Sequence, residues 1–196
     1  MITLVYVPSG SWMDCNYREI EAYKDCFPLC EIVVAKYDAL RDLKALDRIR
    51  AMPRMISQVA AAIKTAKAKG GKVVVCGRSA GGQLAVMASR IVKPDGLILV
   101  SAPLDLRRVP GANILLPWVL LHNPVTKAAA DDGIETLIIH DPDGDQLVPF
   151  AAAKSYIAAR KHVYTALHRG HGHDMRLVRA AKADIESFLQ EVVAGG

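Results

Sequence analysis

Lys72-Val-Val-Val-Cys-Gly-Arg-Ser-Ala-Gly-Gly-Gln-Leu-Ala85 is the stretch on which the fold turns. Its first five residues form a nearly unbroken apolar run, as expected of a strand covered on both faces of a parallel sheet. From Leu84 onward the apolar residues Leu84, Met87, Ala88, Ile91 and Val92 recur at i, i+3, i+4, i+7 and i+8, which predicts a helix with one apolar stripe. Between strand and helix stands G-x-S-x-G, as Gly77-Arg-Ser79-Ala-Gly81. With 14 glycines in the chain, composition alone predicts roughly 0.04 such patterns, so glycine content does not account for it. A serine on so sharp a turn takes a strained backbone and projects its hydroxyl above the sheet edge. Glycines two residues before and after it let neighbouring backbone pass close. The helix N-terminus sets free amides and a positive dipole end beside the same hydroxyl.

Outward from this stretch the same alternation continues. Strand-like runs occupy 2–7, 32–35, 97–100, 136–139 and 162–167. Val59, Ile63 and Ala66 mark a helix after Pro53 that Gly70-Gly71 ends, and Val178, Ala181, Ile185, Phe188, Leu189 and Val192 mark another near the C-terminus. A further helix is expected around Glu19 to Cys26. Strand–helix alternation predicts an open, mostly parallel α/β sheet of about six strands with helices on both faces. No repeat, low-complexity tract or linker divides residues 1–196, so one domain is expected.

The bulk properties narrow the classes. At 52% hydrophobic and 23% charged, the 196 residues are not a disordered chain. No apolar run approaches the 18 or so residues of a membrane-spanning helix; Ile114 to Leu121 is the longest and Pro117 interrupts it. The chain opens directly on Ile2-Thr-Leu-Val-Tyr-Val, without a basic segment or cleavage site. Four cysteines, Cys15, Cys26, Cys30 and Cys76, are few for a disulfide scaffold, so reduced thiols in a cytoplasmic protein are expected. The net charge of +5 comes mainly from Arg41 to Arg54 and from Lys64, Lys67, Lys69 and Lys72. Spaced along helices and without interleaved aromatics, these read as solvated faces and not as a nucleic-acid surface. The sequence is silent on oligomeric state.

A serine nucleophile needs a base within hydrogen-bond reach and a third group to orient that base. In elbow-type hydrolases, which carry their serine on such a turn, the chain order is serine, then Asp or Glu, then histidine. After Ser79 the sequence supplies Leu137-Ile-Ile-His-Asp-Pro-Asp-Gly-Asp145-Gln-Leu-Val-Pro149, a strand running into an acidic loop. The strand at His162 to Leu167 then leads into His168-Arg-Gly-His171-Gly-His173-Asp174. Both loops follow strands, so both reach the sheet edge where open α/β folds place their sites. Asp141, Asp143 and Asp145 start like a calcium loop, but Gln146 and Ala152 stand at positions six and twelve, which removes the turn glycine and the bidentate glutamate. The histidines lack further ligands at zinc spacing, so no metal is expected. Neither a dinucleotide-binding glycine pattern nor a P-loop occurs.

On these motifs the chain resembles the α/β-hydrolase superfamily, and within it the hormone-sensitive-lipase-like esterases. The resemblance covers residues 2–193. Those enzymes write the acid as G-x-x-D-x-x-V-P, and Asp145-Gln-Leu-Val-Pro matches its second half, which selects Asp145 over Asp141 and Asp143. They write the base within G-H-G, and Gly170-His171-Gly172 fits, which selects His171 over His173 and leaves His168 facing the surface. The oxyanion loop H-G-G-G-W corresponds to Pro8-Ser9-Gly10-Ser11-Trp12, where proline replaces histidine and two serines replace glycines. The resemblance then implies that the amides of Ala80 and of Gly10 or Ser11 receive the oxyanion, with Trp12 beside them. An ordinary polar turn is the alternative for that loop. The sheet would begin at the family's third strand, and 101–131 would form a small cap or none. Ile114 to Leu121 lines an acyl pocket or packs as core.

The implied activity is cleavage of a carboxylic ester of a small acylated substrate through an acyl-enzyme on Ser79, with no cofactor. Thioesterase, formamidase and polysaccharide deacetylase chemistry use the same groups, and a catalytically weak hydrolase-like binding protein is the alternative from another class.

Overall fold

The computed structural model describes residues 1–22, 24–42, 50–111, 121–127 and 132–195. Six parallel strands form one sheet: β1 (Ile2–Val7), β2 (Cys30–Val34), β3 (Lys72–Arg78), β4 (Gly96–Val100), β5 (Glu135–His140) and β6 (Val163–Leu167), in the order β2-β1-β3-β4-β5-β6. The registers run in step, so Leu4 lies between Ile32 and Val74, and Ile98 lies between Cys76 and Leu137. The helices are α1 (Ala51–Ala68), α2 (Ala80–Ser89), α3 (Pro124–Lys127), α4 (Ala151–Ala158), α5 (Arg176–Ala180) and α6 (Lys182–Ala194). Two short 3₁₀ turns, Glu19–Ala22 and Lys24–Cys26, stand where the sequence predicts one helix.

The period-two alternation of the strands divides the core between the two faces. Val5, Val7, Val73, Val75, Leu97 and Leu99 meet α1, α2 and α4 on one side. Leu4, Tyr6, Val74, Cys76, Ile98 and Ile139 meet α5, α6 and the segment of Ile20 and Phe27 on the other. The central strands β1, β3 and β4 are buried along almost their whole length, which explains their continuous apolar runs. The edge strand β6 differs: Tyr164 and Leu167 are exposed, so its apolar run does not report cover on both faces. Every residue of α2 is buried, whereas Ile91 lies beyond its end and is exposed. The stripe read from the sequence is therefore part of a helix enclosed on all sides.

Strand order reverses between β1 and β3, because the chain first steps from β1 out to β2 and then returns to build β3 to β6 in the other direction. At such a switch point the loops leaving neighbouring strands diverge and open a crevice at the C-terminal edge. The loop after β1 and the turn before α2 both leave the sheet there. They are in direct contact: a Cβ built on Gly81 would sit 2.2 Å from the Val7 carbonyl oxygen and 2.4 Å from that of Pro8. Five of the basic residues that the sequence reads as solvated faces pair with acids: Arg41 with Asp14, Arg54 with Asp38, Lys69 with Glu31, and Lys67 and Lys72 with Asp95. The sequence's basic stretch falls partly on 43–49, outside the described residues. Among the described residues no helix is long and apolar enough to cross a membrane.

Two alanine substitutions separate close approach from backbone strain. Gly70 has φ +81° but open space around it, so Gly70→Ala adds only the left-handed penalty of about 1–2 kcal/mol, a loss of a few degrees in Tm. Gly81→Ala drives a methyl into two backbone oxygens and is expected to give a far larger loss of Tm, or no soluble protein. Thermal melts followed by circular dichroism check the order, and equal losses would contradict the packing described here.

Candidate active site

Ser79 follows β3 directly and caps α2 with φ 51° and ψ −128°, a backbone conformation that residues with a Cβ rarely adopt. Its N–H donates to the Val100 carbonyl at 2.9 Å and its carbonyl accepts from Gly82 N–H at 2.9 Å, which pins the turn at both ends. The turn stays this tight because of its glycines: a Cβ on Gly77 would lie 2.6 Å from the Gly81 carbonyl oxygen.

The loop after β5 carries three aspartates with three different roles. Asp145 is buried, and its Oδ1 accepts from the N–H groups of Leu147 (3.1 Å) and Val148 (2.8 Å). Its Oδ2 lies 2.8 Å from Nδ1 of His173. Burial alone would raise this carboxyl, but the His173 hydrogen bond, the Val148 N–H and the attraction of the imidazole outweigh it and hold the group below its ordinary value. An ionised carboxylate only accepts, so Nδ1 of His173 carries the proton and Nε2 is left with a lone pair. That Nε2 sits 3.0 Å from Ser79 Oγ. Ser79, His173 and Asp145 therefore form one hydrogen-bonded line, with the serine hydroxyl donating into the imidazole.

The histidine brought to Ser79 is His173 and not His171. The sequence pattern selects His171, but His171 takes part through its backbone, whose N–H donates to Asp141 Oδ2 at 2.7 Å. Gly172 N–H donates to the same oxygen at 2.7 Å. Gly170 and Gly172 both have positive φ (82° and 58°), so the chain turns twice around His171 before the next side chain reaches Ser79. The glycine pair that resembles G-H-G thus builds the turn, and His173 is the residue it delivers. Asp141 also accepts from Asp143 N–H (3.1 Å) and Gly144 N–H (2.8 Å) through Oδ1. One buried carboxylate therefore clasps the loop after β5 to the loop after β6, and the Gly172 N–H above all holds its titration below the ordinary value. Asp143 is exposed and pairs with Arg169. His168 hydrogen-bonds Asp184 at 2.9 Å, away from the serine.

His140 at the end of β5 supports the acid from below. It is fully buried, with Nε2 2.8 Å from the Val148 carbonyl oxygen and 3.8 Å from Asp145 Oδ2. Burial first of all holds its imidazole below the ordinary value, so it serves as a neutral donor to Val148.

The first loop lies against the serine turn through the Gly81 contact described above. Gly10, Ser11 and Trp12 all have positive φ (139°, 52° and 62°), and a Cβ on Gly10 would meet the Asp14 carbonyl oxygen at 2.1 Å. The Trp12 ring is buried and its indole N–H donates to Gln83 Oε1 at 2.9 Å. Gln83, fully buried on α2, uses its amide nitrogen to hold the His122 carbonyl at 2.8 Å. Ala80 is the first residue of α2, so its N–H is one of the helix's unpaired amides. In the connection from β4 to β5, Asp105 accepts from Arg107 and Asn123, and the Arg107 hydrogen bond first of all lowers its carboxyl to about 2. The apolar segment 114–120, including Trp118, lies outside the described residues. Neither Gln83 nor the clasp of Asp141 was legible in the sequence; an acid immediately before a Pro-x-Gly loop was the one visible sign of the latter.

No protein-family model and no curated protein matches the sequence. Solved structures do resemble the fold. A lipase-esterase related protein from Clostridium acetobutylicum superposes with a TM-score of 0.73 at 11% identity, over 95% of this chain and 94% of that one. An α/β serine hydrolase without a lid from Xanthomonas campestris gives 0.65 at 13%, over 97% and 81%. An α/β-hydrolase enzyme from a Medee basin deep-sea metagenome library gives 0.69 at 20%, over 98% and 84%. At these identities the likeness is one of fold: the chain has the α/β-hydrolase fold.

Because Asp141 titrates below its ordinary 3.8 in the folded chain, its stabilisation is present above about pH 4 and is lost as pH falls through the depressed value. Asp141→Asn presents an amide nitrogen to one pair of backbone donors. It is expected to lower Tm by several degrees at pH 7, with the gap to wild type narrowing as pH falls below about 4. A gap that widens on acidification would contradict the clasp.

Proposed function

We propose that residues 1–196 act as one α/β-hydrolase domain that cleaves a carboxylic ester of a small acylated substrate through an acyl-enzyme on Ser79. The single observation that carries this reading is the imidazole of His173 bridging Ser79 Oγ and the Asp145 carboxylate at 3.0 and 2.8 Å. In the proposed reaction Ser79 Oγ attacks the acyl carbon while His173 Nε2 takes the hydroxyl proton. Asp145 keeps Nδ1 protonated and stabilises the imidazolium. The oxyanion that forms is received by the amide of Ala80 and by an amide of the Gly10–Ser11–Trp12 loop. The imidazolium returns its proton to the leaving alcohol, and the acyl group stays on Ser79. A water then gives a proton to His173 and attacks the acyl carbon, which releases the acid and restores the serine hydroxyl.

The strained backbone of Ser79 supports a nucleophile at that position, since strain of this kind gathers where a side chain must be presented. The fold supports the same reading through the solved hydrolases that share it. A binding protein would have no need of an imidazole with its lone pair directed at a serine hydroxyl.

A fluorophosphonate probe and nitrophenyl esters from acetate to decanoate test this reading. Wild-type protein is expected to be labelled and Ser79→Ala is not. His173→Ala is expected to lose at least about 10²-fold in kcat, whereas His171→Ala keeps most of the rate. Folded wild-type protein that neither labels nor turns over any ester would refute the assignment, and the reverse order of the two histidines would move the base back to His171.

A further inference from the structure

Beneath Ser79 lies a second group of polar side chains that the acyl-transfer reading leaves unused. Glu19 comes from the first 3₁₀ turn, and its side chain is completely buried. Its carboxylate accepts from the Tyr6 hydroxyl (2.9 Å), the Ser9 N–H (3.2 Å), the Ser9 hydroxyl and Arg78 Nη1 (2.9 Å). Arg78 is the residue between Gly77 and Ser79, and its side chain is only 10% exposed. Its Nη1 also reaches Ser9 Oγ at 3.2 Å, while Nη2 donates to the backbone carbonyl of His173 at 2.6 Å. One guanidinium therefore joins three of the segments that meet at the site: the loop after β1 through Ser9, the loop after β6 through His173, and its own turn through the chain.

Stability alone is a poor account of this arrangement. A buried ion pair is often matched or exceeded by apolar residues of the same volume, because both charges must be desolvated. Arg78 Nε is buried and has no hydrogen-bond partner among the described residues, so the fork is oriented for its two outer nitrogens at the expense of the third donor. What the geometry does achieve is to fix the carbonyl of the residue whose imidazole faces Ser79. A planar guanidinium spans a carboxylate and a carbonyl at the same time, which a single ammonium does not reproduce. Resting on the acyl-transfer reading above, we propose that Arg78 is a positioning residue: held by Glu19, it anchors the His173 backbone so that the imidazole stays between Asp145 and Ser79.

Arg78→Lys and the charge-free pair Arg78→Met with Glu19→Gln test this. The lysine variant keeps a cation for Glu19 and gives up the His173 anchor. Both are expected to fold, to lose about 10²-fold in kcat on nitrophenyl acetate with KM within about twofold of wild type, and to be labelled by the fluorophosphonate correspondingly slowly. A merely structural pair would lower Tm without dividing kcat from KM in this way. If wild type is labelled at Ser79 while either folded variant keeps wild-type kcat, the positioning role fails and the acyl-transfer reading stands. If both variants fail to fold, the pair holds the fold and not the histidine, and the proposal falls. An unlabelled wild type would remove the acyl-transfer reading and this inference with it.

Discussion

The constraint on which the rest of the structure depends is the backbone of Ser79. A residue with a side chain held at φ 51° and ψ −128° costs about 1–3 kcal/mol and persists only where its surroundings over-determine it. Here they do. β3 is buried on both faces before the turn, and α2 is enclosed on every side after it. The Val100 carbonyl fixes the amide of Ser79, and the first loop lies across Gly81 at backbone contact distance. The turn stands at the point where strand order reverses, where open α/β sheets place their sites. The strain and the topology are two parts of one arrangement.

Around that turn the loops are joined by charged groups that use backbone donors. Asp141 ties the loop after β5 to the loop after β6 with four N–H groups, and Asp145 takes two more besides the imidazole. Hydrogen bonds to a charged acceptor are stronger than neutral ones, and in a buried setting they gain further. In the proposed reaction, loops anchored in this way need little rearrangement when charge develops in front of them. Such preorganisation is the main source of transition-state stabilisation in acyl transfer.

What was legible in the sequence followed range along the chain. Strands β1 and β3 to β5 were readable because each buries its own residues in an unbroken run. Ser79 was readable because its strand, its glycines and its helix are contiguous. Asp145 was readable from a local match, Asp-x-x-Val-Pro, whose Val148 N–H binds that same carboxylate. The histidine that meets Ser79 lies two residues beyond the one the pattern selects, because the deciding contact is long-range. Asp141 lies 30 positions before His171 and captures its amide, and no spacing rule within 168–174 reveals that. Arg78 and Glu19 were missed for the same reason, being 59 positions apart and each unremarkable alone. The pair of 3₁₀ turns in place of a helix at 19–26 follows the same logic, since Glu19 is drawn inward to Arg78 and Tyr6 and is not left on a helical face.

The net charge of +5 gives a misleading picture of the site. The basic residues of the helix faces, Arg54, Lys67 and Lys69 among them, are exposed and pair with Asp38, Asp95 and Glu31, away from the loops that meet at Ser79. Among the described residues, the buried charges at the loops that meet at Ser79 are the carboxylates of Glu19, Asp141 and Asp145 and the guanidinium of Arg78. Their balance is negative. Within the proposed reaction that balance favours the step in which His173 becomes positively charged, because a nearby negative charge stabilises an imidazolium. A chain that is basic overall thus surrounds its histidine with acid. The two facts are compatible because exposed charges act over about a Debye length of roughly 8–10 Å in salt, whereas buried ones are screened far less.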